Sequence, residues 1–532
     1  MSERSIKNLM RGAMWLTVAS LISKILSAVY RVPFQNMVGD VGFYIFQQVY
    51  PIYGIAMTLA LGGFPVVISK MLAEAQGDPR KQRIILQAVY RMLKIISYSC
   101  FVLFFIFAGW IAVMMGDPGL SELIRIISFV FLLTPQLSFL RGYFQGQEKM
   151  IPTAISQTVE QTIRVAIIII GAGIGTAAGF NLYTTGALAM SGAIFGGTAA
   201  LWILRHFYKV NLRSGGFKVW GTFPAKREKR GIGRQFLKQS LAICTVSAML
   251  ILFQLVDSFQ VYRLMVENGI PDMLAKSLKG VYDRGQPIVQ LGLVVSTGLA
   301  LALVPMITSA RVHRQKSQLR RSVTLALKLT MIIAGAETVG LIVIMRPLNQ
   351  MLFETSDGTL VLQLFMPAVF LSSLIIMISS ILQGFGKIEV PAVAVAIGVV
   401  VKMIMNDLLI PKMGTAGASV ATCIGLGVIL FLCFYALKRN VRMPIVEWSQ
   451  LARLIGALAF MVIIPCLWEI VAPMTSRLGS SFQALVSALL GGIVFLVFAL
   501  RYRLLGPKDF VFLPFGSKLL TISKMVARKN RK

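Results

Sequence analysis

Two cations stand inside the first apolar stretch of the chain. Lys24 and Arg31 belong to the run LMRGAMWLTVASLISKILSAVYRVPF, from Leu9 to Phe34. Residues seven apart share a face of an α-helix and lie roughly 10 Å apart along its axis. Thr17, Ser20 and Ser27 fall on the same stripe. A charge near a bilayer centre costs several kcal/mol unless it lines a cavity or finds a partner; the alternative is that both side chains reach out to the interface. A third cation, Arg284, follows Tyr282-Asp283 at the start of a later apolar stretch. A cavity lined by Lys24, Arg31 and Arg284 is cationic and suits a phosphate or pyrophosphate, because guanidinium offers paired donors. If Asp283 and Arg284 are only the interfacial end of their helix, they line nothing.

The remaining charges within apolar stretches call for partners. Glu160 and Arg164 are four apart with the acid first, the spacing of a structural ion pair on one helix. Lys402, with Asn406 and Asp407 a turn later, needs an acid from another helix; Asp257 is the first choice and Glu337 the second. Such a pair is either a clamp or a place where a proton or sodium ion competes with the lysine. No reaction chemistry stands out. The acids are scattered, no Gly-Lys nucleotide loop occurs, and His206 and His313 both lie in basic loops, so neither a metal cluster nor a Ser/His/Asp set can be assembled. The expectation is a protein that is not an enzyme and carries no cofactor or metal.

The elements that position these residues are membrane helices. Of 532 residues, 56% are hydrophobic and 14% charged, a composition that fits a polytopic, all-α membrane protein. About fourteen apolar spans can be counted, among them 9–33, 42–69, 236–261 and 281–308. The net charge of +32 follows from basic loops between the spans, so positive-inside bias explains it without nucleic acid, with anionic phospholipid headgroups as a further contact. Every second loop is basic, which puts both termini in the cytoplasm; Arg4, Lys7 and Arg11 lie before or at the very start of a first span that lacks a cleavage site and is expected to be retained. Cys100, Cys244, Cys423, Cys433 and Cys466 sit in apolar spans without CxxC spacing and read as small buried hydrophobes.

An internal repeat divides the spans. Gln145-Gly146-Gln147-Glu148-Lys149 before Pro152 returns as Gln383-Gly384-Phe385-Gly386-Lys387 before Pro391, and Gly42-Phe43-Tyr44 returns as Gly280-Val281-Tyr282, both at an offset of 238 residues. Phe64-Pro65 against Val304-Pro305 and Thr185-Gly186-Ala187 against Ala416-Gly417-Ala418 follow in the same order. Six spans per half, both halves starting on one side, give parallel repeats. The expected organisation is an N-lobe (1–205), a basic linker (206–235), a C-lobe (236–437), two extra helices (438–504) and a basic tail (505–532).

The chain resembles the multidrug/oligosaccharidyl-lipid/polysaccharide exporter superfamily, and within it the polysaccharide-biosynthesis branch with the lipid II flippases and the stage V sporulation protein B group. The residues that carry the resemblance are Leu21-Ile22-Ser23-Lys24-Ile25-Leu26, Arg141-Gly142-Tyr143-Phe144-Gln145-Gly146, Pro152-Thr153-Ala154, Ser156-Gln157-Thr158-Val159-Glu160-Gln161 and Ile410-Pro411-Lys412. The resemblance implies two lobes around a cationic cavity that opens alternately to either side of the cell membrane. It also implies an undecaprenyl-pyrophosphate-linked glycan as cargo, Lys24, Arg31 and Arg284 at cavity positions, and a groove for the lipid tail formed by the last two spans. Some relatives bind sodium between spans seven, eleven and twelve. Asp257 and Thr422 match that pattern, Asn406 is compatible, and Lys402 occupies a ligand position, which argues against a bound sodium ion. Two other classes stay open: a drug or metabolite antiporter of the same superfamily, and a membrane scaffold for envelope or spore-wall assembly. The sequence fixes neither the glycan nor the oligomeric state.

Overall fold

A computed structural model describes residues 19–213, 226–440, 448–471, 474, 476–502 and 504, so Thr17, the N-terminal basic residues, residues 214–225 of the basic linker and the tail lie outside the described residues. The described chain is all-α, without a strand. Thirteen helical segments are long and apolar enough to cross a membrane, and the first, Ala19–Glu74, is 56 residues long. At about 1.5 Å per residue that segment spans about 84 Å, enough for two crossings of a roughly 30 Å hydrocarbon layer. About fourteen crossings result, as the apolar runs suggest.

Contacts divide the chain into two compact units: residues 1–283 with 395–418, and residues 284–394 with 419–532. The first unit begins with α1 (19–29) and α2 (Arg31–Thr58), which follow one another without the intervening loop expected near 34–41. Gly39 alone leaves helical geometry there, at φ 70°, a conformation that glycine adopts without a Cβ clash. A π-helical turn, Leu59–Gly63, then leads into α3 (Phe64–Glu74). Pro65 is the local cause, since it lacks the N–H that a regular turn would return to an earlier carbonyl. Helix α7 (Val130–Gly146) supplies donors in compensation: Ser138 Oγ reaches Leu59 O at 3.3 Å and Arg141 Nη1 reaches Ala60 O at 3.3 Å.

Between these come α4 (Pro79–Ile106), capped by Asp78 on the Lys81 N–H, α5 (Ala108–Met114) and α6 (Ser121–Ser128). Helices α8 (Ile151–Ala177) and α9 (Leu182–Arg213) pack backbone to backbone. A Cβ at Gly192 would stand 2.8 Å from Arg164 O, and one at Gly196 would stand 2.5 Å from Glu160 O. This Gly-xxx-Gly seam fixes the helix that carries Glu160 and Arg164. The unit closes with α10 (Lys226–Ser247), α11 (Met249–Glu267) and α12 (Asp272–Asp283). The stretch between the apolar spans 236–261 and 281–308 is therefore helical except at 268–271.

The second unit contains α13 (Gly285–Val312), α14 (Lys316–Val343), α15 (Met345–Phe353), α16 (Thr359–Phe365) and α17 (Pro367–Gly384). Helices α18 (Glu389–Met413) and α19 (Thr415–Asn440) pass from one unit to the other, and α20 (Trp448–Val471) and α21 (Arg477–Arg501) complete the chain. The repeat is visible in local geometry. Glu148 (φ 61°) and Gly386 (φ 72°) occupy the same left-handed position after α7 and α17. Lys149 N returns to Phe144 O at 2.9 Å, and Lys387 N returns to Leu382 O at 2.9 Å. One helix-ending turn is thus built twice from two related sequences.

Candidate functional site

The first unit holds two buried cationic centres of opposite character. Arg31, at the start of α2, is 0% exposed. Its guanidinium lies 4.3 Å from the Tyr50 ring centroid and 6.0 Å from that of Tyr30, yet none of its three nitrogens donates a hydrogen bond among the described residues. Arg164 of α8 approaches the same aromatic group, 5.3 Å from Tyr30 and 4.7 Å from Tyr53. It donates to Gln161 Oε1 at 2.7 Å and Ser27 Oγ at 3.2 Å, while its Nε stays unbonded. Aromatic faces stabilise each cation by about 2 kcal/mol when desolvated, well below what removing a charge from water costs. Among the described residues no carboxylate lies within ion-pair distance of either guanidinium; buried Asp283, itself paired with Lys279, acts on Arg31 only from further away. The nest thus carries surplus positive charge with donors unsatisfied, which is what a buried anion requires.

The expected ion pair between Glu160 and Arg164 is corrected here. Glu160 Oε2 instead accepts from Arg141 Nη2 of α7 at 2.6 Å. The spacing on α8 permits the local pair, but Arg164 is turned towards Ser27 and the tyrosines, while Arg141 enters from a neighbouring helix with its other donors on Ser156 Oγ and Ala60 O. Arg141 holds the π-helical turn and takes up the acid, leaving Arg164 uncompensated. Arg141 was legible only as part of a motif, because its role depends on a helix far away in sequence.

The second centre is neutral overall. Lys402 Nζ lies 2.8 Å from Asp257 Oδ1, with side chains 0% and 2% exposed. Asn406 Nδ2 donates to the same oxygen at 3.2 Å, and Tyr282 OH donates to Asp257 Oδ2 at 2.8 Å. Gln260 continues the network, accepting from Asn406 and donating to Asp407 Oδ1 at 2.9 Å. Of the two acids considered for Lys402, the structure brings Asp257 to it. Glu337 lies on α14 in the second unit.

The other expected site residues fall as follows. Lys24 is exposed on α1. Asp283 is buried and paired with Lys279 at 2.5 Å, an i,i+4 spacing whose first member lies just outside the apolar span 281–308. Helix α12 sits so close to α2 that a Cβ at Gly280 would fall 2.1 Å from Asp40 O. Arg284 and Thr422 are buried in the second unit, where Arg284 Nη1 donates to Thr355 Oγ1 at 2.9 Å and Asn349 Oδ1 at 3.3 Å. A further cluster had no sequence signal. Asp117 accepts from Tyr183 OH at 2.7 Å and Tyr44 OH at 3.2 Å and faces Lys276 Nζ at 3.6 Å, while Lys276 also holds Asp272 at 3.1 Å. It ties the N-terminal half of the unit to α12.

A family model described as polysaccharide biosynthesis protein matches residues 9–311. The chain is 37% identical over 535 residues to the uncharacterized membrane protein YabM of Bacillus subtilis, with 98% of this chain and 97% of that protein covered. It is 26% identical over 520 residues to the lipid II flippase MurJ of the same organism, with 92% and 94% covered. Among solved structures, a lipid II flippase MurJ in an inward closed conformation matches with a TM-score of 0.69 at 15% identity, covering 92% of this chain and 99% of that one. An inward-facing multidrug resistance MATE family transporter matches with a TM-score of 0.63 at 16% identity, covering 79% and 94%. The likeness is one of fold, an all-α arrangement of about fourteen membrane crossings.

Proposed function

The chain belongs to the polysaccharide biosynthesis protein family, and from that premise we propose that it is an alternating-access flippase for a polyprenyl-pyrophosphate-linked glycan. A sugar–pyrophosphate headgroup cannot cross a bilayer unaided, because its charges and hydroxyls would lose water without replacement. A protein that lowers this barrier needs cations inside the membrane whose donors are not already spent. Arg31 is the observation that carries the reading: a fully buried guanidinium with no hydrogen-bond acceptor among the described residues. Arg164 adds a second charge beside Tyr30, and Lys24 lies seven residues before Arg31 on the preceding helix. Arg284 is the cation proposed for the second unit, oriented by Asn349 and Thr355.

In this reading Asp257 is the coupling centre. The Lys402 ammonium takes the place of a free cation there, so transport proceeds without a bound sodium ion. Lys402→Met abolishes transport if this is correct, and undiminished flipping in that variant removes the idea. The apolar groove lined by Ile288, Met461 and Phe495 receives the isoprenoid tail. The Asp117–Lys276 cluster acts as a clamp that must part when the first unit changes shape.

The test is reconstitution into vesicles with a fluorescent polyprenyl-pyrophosphate-linked sugar in the inner leaflet. Protein-dependent transfer to the outer leaflet, lost in Arg31→Met, is expected. Absence of transfer by the unmodified protein, with intact fold, overturns the flippase reading.

A further inference from the structure

The second unit contains a groove of about 510 Å³ bounded by α13, α14, α15, α20 and α21. Its walls are apolar, with Ile288, Leu291, Leu348, Met461 and Phe495 among them, and one carboxyl stands in this lining, that of Glu337. Among the described residues Glu337 makes no hydrogen bond or ion pair, and its Oε2 is buried without a partner. The acids Glu160, Asp257 and Asp283 behave differently, each having a cation at 2.6, 2.8 and 2.5 Å respectively. Charged residues elsewhere on the bounding helices have partners of their own: Arg346 of α15 and Glu469 of α20 face each other at 3.8 Å, and Lys328, nine residues before Glu337 on α14, is engaged as well.

We infer that this groove is a binding site for hydrophobic monocations, with Glu337 as the counter-charge. The occupant is set by charge complementarity. An apolar chain fills the groove but leaves the carboxyl without a partner in a dry setting, where an unpaired polar group is costly. An anionic amphiphile meets repulsion as well. A cation whose charge is shielded by alkyl or aryl groups satisfies both walls and carboxyl, and it sheds little hydration on entering. The site is separate from the Arg31 nest, which selects the opposite charge, and it does not depend on which glycan the protein carries. On the flippase reading, such a cation and the isoprenoid chain compete for the same space.

Binding of radiolabelled tetraphenylphosphonium to the purified full chain in phosphatidylcholine nanodiscs tests this, with triphenylphosphine oxide as the uncharged probe. Saturable binding of the cation is expected, weakened at least tenfold in Glu337→Gln and restored towards the original value in Glu337→Asp. The uncharged probe should bind the original chain and Glu337→Gln alike, which also shows that the groove is intact in the variant. Equal affinity of Glu337→Gln for tetraphenylphosphonium overturns the inference, as does failure of the original chain to bind it. Either result leaves the glycan-flippase reading standing, since that reading requires no cation in the groove.

Discussion

Arg31 and Lys402 are both wholly buried cations of the same unit, and they are treated in opposite ways. Lys402 meets a carboxylate that is itself held by Asn406 and Tyr282, so charge and hydrogen bonds cancel locally. Arg31 has the rings of Tyr30 and Tyr50 beside it, with Arg164 over the same Tyr30 ring, and among the described residues no acid within ion-pair distance, since Asp283, which acts on it from further off, is held by Lys279. The only carboxylate close by in sequence to Arg164 is diverted to Arg141. A closed pair stabilises an arrangement of helices, whereas an unclosed cation is stable only as part of something that arrives. The difference separates a centre that positions the protein from one that recognises a ligand.

That contrast can be broken most sharply at Asp257. Asp257→Ala strands the Lys402 ammonium, and losing one partner of a buried pair costs about 3–5 kcal/mol. The solubilised protein should unfold at distinctly lower temperature, and adding Lys402→Met should recover most of the loss. A single variant as stable as the original would show that the centre is not closed. Glu160→Gln should come next. It weakens a charge-assisted bond to Arg141 worth about 1.5–3 kcal/mol, lowering thermal stability by a smaller amount while leaving anion binding at Arg31 in place.

Arg31→Met should do the reverse. Stability is unchanged or slightly higher, because an unpaired buried charge is gone, while affinity for a pyrophosphate-bearing lipid falls at least tenfold, about 1.4 kcal/mol. Destabilisation comparable to Asp257→Ala would erase the distinction drawn between the two centres. Tyr50→Leu is the mildest change. It removes the ring 4.3 Å from the Arg31 guanidinium, and a loss of about 1 kcal/mol predicts roughly fivefold weaker lipid binding in a titration.

Much of the membrane architecture could be read from residue order alone. Hydropathy gives the crossings, because a bilayer admits few alternatives to long apolar helices. The repeated Gln-Gly turn could be matched across 238 residues because a left-handed helix end demands particular residues locally. Lys24, Arg31 and Lys402 announced themselves for the same kind of reason, as charges in places where charge is expensive. The sequence also narrowed the acid for Lys402 to two candidates.

Pairing was decided elsewhere. Helical spacing favoured Glu160 with Arg164, and the Gly192–Gly196 seam, the π-helical turn before Pro65 and the reach of Arg141 overruled it. Asp117 found Tyr44, Tyr183 and Lys276 from three distant parts of the chain, and Glu337 was left alone in an apolar groove. Burial is a property of residues that come together across many turns of sequence. The sequence therefore determined which charges had to be accommodated within the membrane, and only the tertiary structure decided which were cancelled and which were kept for a ligand, because that choice depends on distances of a few ångströms between helices.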